Sequence, residues 1–123
     1  MADAARKPED LARLFVERIN AGDLEGLVAL YEPDATLAAG EVKARGSDEI
    51  RGFYKSLLER RSSFPEPELL PAIENGPLAL TFARTPNGAI SVEVARRQDD
   101  GSWLWVIDQL KIKPKADGEG SSN

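Results

Sequence analysis

The chain has 123 residues, with 21 acidic against 16 basic side chains, a net charge of −5, and neither cysteine nor histidine. Disulfides, thiol nucleophiles, cysteine-ligated metals and every histidine-dependent triad are therefore excluded, so any acid–base chemistry must run on carboxylates, tyrosines or lysines. The size fits one domain, and the acidic balance argues against a nucleic-acid or anionic-membrane surface as the main partner.

Residues 1–7 are polar and read as a flexible N-terminus with no apolar signal segment. No run approaches the roughly 20 apolar residues of a membrane span, so a cytoplasmic location is expected. Pro8 suits an early helical position, and Glu9 and Asp10 follow in the first turn, where negative charge complements the helix dipole. Leu11, Leu14, Phe15 and Ile19 then recur on one face up to Gly22. Asp23 is suited to N-cap a short second helix with Leu24, Leu27, Val28 and Tyr31 on its buried stripe, stopped by Pro33. Residues 35–39 and 41–44 flank Gly40 as a hairpin. Ser47 is the expected N-cap of a third helix with Ile50, Phe53, Tyr54, Leu57 and Leu58 at helical spacing, closed by Arg60 and Arg61.

Four strands are predicted after it, over 68–74, 78–85, 89–98 and 102–113, divided by Asn75-Gly76, Asn87-Gly88 and Asp100-Gly101. These pairs tolerate the positive φ of tight hairpin turns. Pro71 confines the first of the four to a sheet edge. Residues 114–123, rich in Gly, Ser and charge, read as a disordered tail. The expectation is one α+β domain over residues 8–113, ending in an antiparallel meander and with no parallel strands.

The run Asn20-Ala21-Gly22-Asp23-Leu24, the run from Leu30 to Leu37 and the run Arg45-Gly46-Ser47-Asp48-Glu49-Ile50-Arg51-Gly52-Phe53-Tyr54 resemble nuclear transport factor 2-like domains. That resemblance implies a cone-shaped fold, three helices packed on a strongly bent, mainly antiparallel sheet whose concave face lines a pocket. The superfamily includes SnoaL-like polyketide cyclases, ketosteroid isomerases, epoxide hydrolases and modules without catalysis, so it speaks for fold more than for function. In the isomerase pattern Glu93 corresponds to the acid of the oxyanion hole, but the tyrosine of that hole falls on Phe15 and the catalytic base on Ala39. In the epoxide hydrolase pattern Asp108 resembles the final-strand aspartate and Glu93 the second acid. The arginine expected two residues before that acid is Ser91, leaving only a displaced Arg84 to substitute.

If Asp100-Gly101 is a two-residue turn, Glu93 lies directly opposite Asp108, and strand alternation gives them one face with Ser91, Ala95, Val106 and Leu110. The same rule at Asn87-Gly88 adds Leu80, Phe82 and Arg84 to that face. Two readings compete: a solvated face with the tryptophan face as core, or a pocket. An exposed face gains nothing from like charges directly opposite, and this face is rich in apolar neighbours, which favours the pocket. Burial and repulsion would raise one carboxyl's pKa, leaving a donor and a base. The candidate catalytic residues are Glu93, Asp108 and Arg84. The candidate ligand contacts are Phe15, Tyr31, Tyr54, Leu80, Phe82, Val106 and Leu110. Trp103 and Trp105, sharing the other face with Val92, Val94 and Ile107, are expected to form a homodimer interface. The expected ligand is a small apolar molecule, with no cofactor and no metal. Acid–base catalysis, ligand binding without chemistry and a dimeric interaction module all stay open.

Overall fold

Pro8 opens α1 (Pro8–Asn20), where the Asp10 carboxylate accepts from the Arg6 and Lys7 backbone N–H groups and so satisfies two donors at the helix start. Leu11, Leu14 and Ile19 face inward. Asp23 caps α2 (Leu24–Val28), its Oδ1 accepting from Gly26 N–H at 3.0 Å. The Arg18 guanidinium then bonds the Gly26 carbonyl at 2.7 Å, fastening α1 to α2. The computed structural model describes residues 4–112. The expected tail at 114–123 lies outside them, as does residue 113 of the last predicted strand. Within the segment read as a flexible N-terminus, Ala5 is buried and its carbonyl accepts from Trp103 N–H, so the chain is docked at that residue.

The second helix ends before Tyr31, a departure from the predicted stripe. Tyr31 opens a strand, β1 (Tyr31–Ala39), that runs through Pro33. Proline is tolerated because the pairing with the neighbouring strand is irregular between Tyr31 and Thr36, so no ladder bond is forfeited there. A turn at Gly40 leads to β2 (Val42–Arg45). Helix α3 (Gly46–Arg60) starts just ahead of the predicted cap: Arg45, not Ser47, is the N-cap, its N–H bonded to Glu49 Oε1 at 2.8 Å.

The four later strands are β3 (Glu68–Asn75), β4 (Leu78–Arg84), β5 (Ile90–Arg97) and β6 (Trp103–Ile112). The sheet order is β2-β1-β6-β5-β4-β3. β3 is the edge strand, and its register shifts between Leu70 and Ile73, around Pro71, as a residue without N–H requires. The meander is antiparallel, but β1 runs parallel to β6, against the expectation of no parallel pair. Turn signals speak only for adjacent strands, and β1 meets β6 across most of the chain.

Two hairpin loops are one residue longer than read. Thr85 bonds Ala89 and Gln98 bonds Ser102, so each loop has three residues, with Gly88 (φ 89°) or Gly101 (φ 87°) as the left-handed third one. At the first hairpin this places Thr81, not Phe82, opposite Glu93, and sends Leu80, Phe82 and Arg84 to the outer face. At the second, Val106 is an extra residue in β6. Ala95 pairs with Trp105 and Val94 with Ile107, so the bulge restores the pairing of Glu93 with Asp108.

The bulge also turns Trp105 inward together with Asp108. Trp103 and Trp105 are each 3% exposed within the single chain, so neither is available as the expected dimer surface. The outer face instead carries Ile73, Leu80, Val94 and Ile107 in one row across four strands. The core between helices and inner face holds Leu11, Leu14, Leu27, Leu37, Ile50 and Tyr54. Each fully buried aliphatic side chain contributes about 1.5–3 kcal/mol.

The loop geometry yields a paired test. Gly101→Ala should cost about 1 kcal/mol, because a Cβ is strained at positive φ. Gly52→Ala, on the exposed side of α3 with open space around a new Cβ, should gain about 0.5–1 kcal/mol. Urea unfolding of both variants would measure the two shifts; a Gly101→Ala variant as stable as wild type would refute the three-residue loop.

Candidate functional site

The concave side of the sheet and the two longer helices enclose a cavity of about 470 Å³. That falls within the roughly 300–1,000 Å³ of small-molecule sites. Phe15, Val16 and Ile19 of α1 form one wall, and Tyr54 and Leu57 of α3 another. Glu93, Trp105, Asp108 and Leu110 come from the sheet, and Phe64, Pro65 and Asn87 stand near the mouth. Of the predicted ligand contacts, Phe15, Tyr54 and Leu110 line this space. Leu80 and Phe82 do not, nor does Arg84, which is exposed and paired with Glu68 at 3.3 Å. Val106, the bulge residue, is half-buried and absent from the described lining. Tyr31 stands behind the wall and reaches the site through hydrogen bonds alone.

Aromatic rings brace the floor. Trp105 packs against Tyr31 (5.4 Å between centroids) and Phe15 (6.1 Å), and Tyr54 packs against Phe15 (5.9 Å) and Phe53 (5.0 Å). These separations suit tilted and edge-to-face contacts, which hold ring positions as well as burying area.

Both acids are inside. Glu93 is 4% exposed and Asp108 1%, facing each other across β5 and β6. Each is reached by a hydrogen-bond chain whose direction is fixed. The Trp105 indole can only donate, and its Nε1–H goes to Thr81 Oγ1 at 3.1 Å, so the Thr81 proton is directed to Glu93 Oε1. Tyr31 donates to Asp108 Oδ2 at 2.5 Å, which spends its one proton, so Tyr54 donates to Tyr31 at 2.6 Å. Asp108 Oδ1 is buried with no hydrogen-bond partner among the described residues. Thr81 and Trp105 were missed as site residues: Thr81 for want of the correct loop length, Trp105 because a bulge has no distinctive sequence signal here.

Burial pushes the Glu93 carboxyl up to about 7, against the opposing effect of hydrogen bonds from Thr81 and Ser91. Burial, reinforced by the nearby Glu93 charge, holds Asp108 well above the usual carboxylate range, with the Tyr31 hydrogen bond pulling the other way. The Tyr31 and Tyr54 hydroxyls are raised well above their ordinary value, burial first, and stay protonated. Burial and mutual repulsion thus disfavour ionising both acids together, and Glu93 is poised between its two states near neutral pH. With Oδ2 accepting from Tyr31, Oδ1 is the Asp108 oxygen left open to a proton or a ligand. Among the described residues no group of three or more acidic side chains is gathered as a metal site.

The SnoaL-like domain family matches residues 12–120. Among solved structures, the fold is similar to a ketosteroid isomerase-like protein from Erwinia carotovora atroseptica, at 22% identity and TM-score 0.69, covering 86% of this chain and 94% of that one. A domain with a cystatin-like fold from Nostoc punctiforme matches at 18% identity and TM-score 0.76, over 93% and 80%. An NTF-2-like protein from Shewanella oneidensis matches at 19% identity and TM-score 0.65, over 81% and 92%. At these identities the likeness shows the fold alone.

The buried pair makes stability depend on pH. A carboxyl at about 7 when folded and about 4.5 when unfolded binds its proton more tightly in the native state. Its contribution is therefore complete below about pH 4.5 and declines as pH rises through 7, by an amount of order 3 kcal/mol. Carboxyl NMR titration should find one group titrating near 7 and a second above the usual carboxylate range, and Glu93→Gln should bring the Asp108 titration down. Two uncoupled carboxyls titrating near 4 would contradict the arrangement.

Proposed function

The chain belongs to the SnoaL-like domain family, and on that premise we propose that it binds a small, largely apolar molecule bearing a carbonyl oxygen and moves a proton on it with Glu93 and Asp108. The observation that carries this reading is the partnerless Asp108 Oδ1, buried beside Glu93 on the floor of an apolar cavity. An unsatisfied buried polar atom costs roughly 1–3 kcal/mol unless something else supplies its partner. A ligand carbonyl accepting from the Oδ1 proton would supply it. Glu93, with Oε1 held by Thr81, would use its other oxygen as the base. It takes a proton from the carbon next to the carbonyl; the C–H pair of electrons moves into a carbon–carbon double bond, and the oxygen gains enolate character stabilised by Asp108. Return of the proton to the same carbon gives exchange, and return to a conjugated carbon gives isomerisation. Poising the base near the working pH is what general-base catalysis asks for.

A second reading, ligand binding without turnover, draws on Phe15. That side chain lines the cavity and offers a ring where the isomerase pattern has a hydroxyl donor. One experiment separates the two. Cyclic enones and aryl ketones are screened by protein NMR for shifts at Tyr54, Glu93 and Asp108, and bound ketones are followed in D₂O for exchange of the proton beside the carbonyl. We expect exchange by wild type and a loss of about 100-fold or more in Glu93→Gln. Binding without exchange would favour the second reading, and no cavity-directed shifts would defeat both.

We also propose that the outer sheet face joins two copies of the chain. Ile73 (59% exposed) and Ile107 (51%) end the apolar row through Leu80 and Val94, a patch costly to leave in water. A self-complementary face of this kind suits a two-fold dimer. Sedimentation at micromolar concentration should find a dimer, converted to monomer by Ile107→Glu; a wild-type monomer would end this proposal.

A further inference from the structure

The mouth of the cavity differs from its floor. Helix α3 runs out at Arg60, and the chain turns through Arg61, Phe64, Pro65 and Pro67, all but Arg60 lining the cavity. This loop is held to α1 by Asn20, whose Oδ1 accepts from Phe64 N–H at 2.8 Å while its amide donates to the Val16 carbonyl at 3.1 Å. The anchoring holds the Phe64 backbone, and the Arg61 guanidinium lies over the Phe64 ring with its carbon 4.8 Å from the centroid. One of its nitrogens donates to the Ser63 carbonyl at 3.3 Å. Arg61 is thus oriented by a stacked ring and a backbone acceptor, a placement that limits the ordering cost of binding a planar anion.

Arg61 is also the sole cationic side chain among the described residues that line the cavity. Four surface arginines, Arg13, Arg51, Arg84 and Arg96, each meet a carboxylate within 4.0 Å. No carboxylate comes that close to Arg61 among the described residues, although the chain carries an excess of acid. The other charges lining the cavity are Glu93 and Asp108, at the opposite, buried end. An anionic group would be repelled at the floor and attracted at the mouth, so a ligand with one anionic end can enter in one orientation only.

We infer that the ligand is an acidic amphiphile, an aryl or alicyclic body ending in a carboxylate that Arg61 holds at the mouth. This rests on the proposed pocket reading and deepens it by naming the substrate class and the residue that selects it. The apolar walls take the body, and Arg61 takes both carboxylate oxygens through parallel N–H bonds. The polar group that reacts is then delivered to Glu93 and Asp108 at the far end.

The test uses 4-phenylbutyrate and its uncharged analogue 4-phenylbutyramide, titrated into the full chain by NMR at pH 6.5 and low salt. Wild type should bind the carboxylate about fivefold more tightly than the amide, the scale of one partly exposed ion pair. Arg61→Gln should make the two equal. Arg60→Gln, one residue away and outside the cavity lining, removes the same charge and should leave the preference intact. Carboxylate and amide binding alike to wild type in the cavity would overturn the role of Arg61 while leaving the pocket reading standing. A preference lost equally in both variants would reduce it to overall charge and overturn the inference too. Shifts at Tyr54 and Phe64 by neither probe would remove the pocket reading itself and the inference with it.

Discussion

One inserted residue sets the geometry of the buried acid pair in this domain. In a regular strand Trp105 and Asp108, three positions apart, would project to opposite sides of the sheet. The bulge at Val106 adds half a period, so the indole and the carboxyl both face the helices, while Ile107 between them turns to the outside at 51% exposure. The same insertion compensates for the three-residue loop at 99–101. Without it, the register that pairs Ala95 with Trp105 would continue and Glu93 would oppose Ile107. A bulge next to a site, re-aiming a side chain, is a recurrent device in sheets.

The site then carries an electrostatic debt that the rest of the fold sustains. Two directly opposed acids in an apolar cavity are unfavourable on every count: desolvation, mutual repulsion, and an Oδ1 atom without a partner. The donors from Thr81 and Tyr31 recover part of that cost and impose order. Each caps one oxygen of one acid, and each is itself oriented from behind, by Trp105 or by Tyr54. In the proposed function, pre-set polarity of this kind would let the two carboxylates act as acid and base without histidine. A core packed around Leu11, Leu37 and Ile50 supplies the surplus stability that the strained pair draws on.

Mouth and floor divide the pocket's labour. The floor is built on strands and on the middle of α3, regular elements whose rings interlock. The mouth is built on the chain that leaves α3 and on the 85–89 turn, fixed by short local hydrogen bonds such as Asn87 Oδ1 to Ala89 N–H. A pocket floor on regular elements with loops at its entrance is an arrangement that lets the entrance vary on one scaffold.

What the sequence determined by itself was whatever short-range physics controls. Helix faces at 3.6-residue spacing, the cap at Asp23, the edge position that Pro71 forces and the glycines at positive φ each depend on a handful of neighbours, and each was legible. The excluded chemistries followed from composition. The Glu93–Asp108 pair was read from a two-residue turn, and it holds only because the bulge offsets the longer loop. Only tertiary structure decided which apolar faces met water. A loop of three residues and a loop of two share the same Asn-Gly and Asp-Gly letters, yet they place Leu80, Phe82 and Arg84 on opposite sides of the sheet. A bulge costs little locally and is chosen by the packing of both its flanks, so Val106 gives no sign of it, and the tryptophans were assigned outward. Tyr31 likewise moved from helix to strand because β6 offered it a partner across the sheet. Strand parity is a cumulative count: one added residue reverses every side chain beyond it, and only the assembled sheet registers the addition.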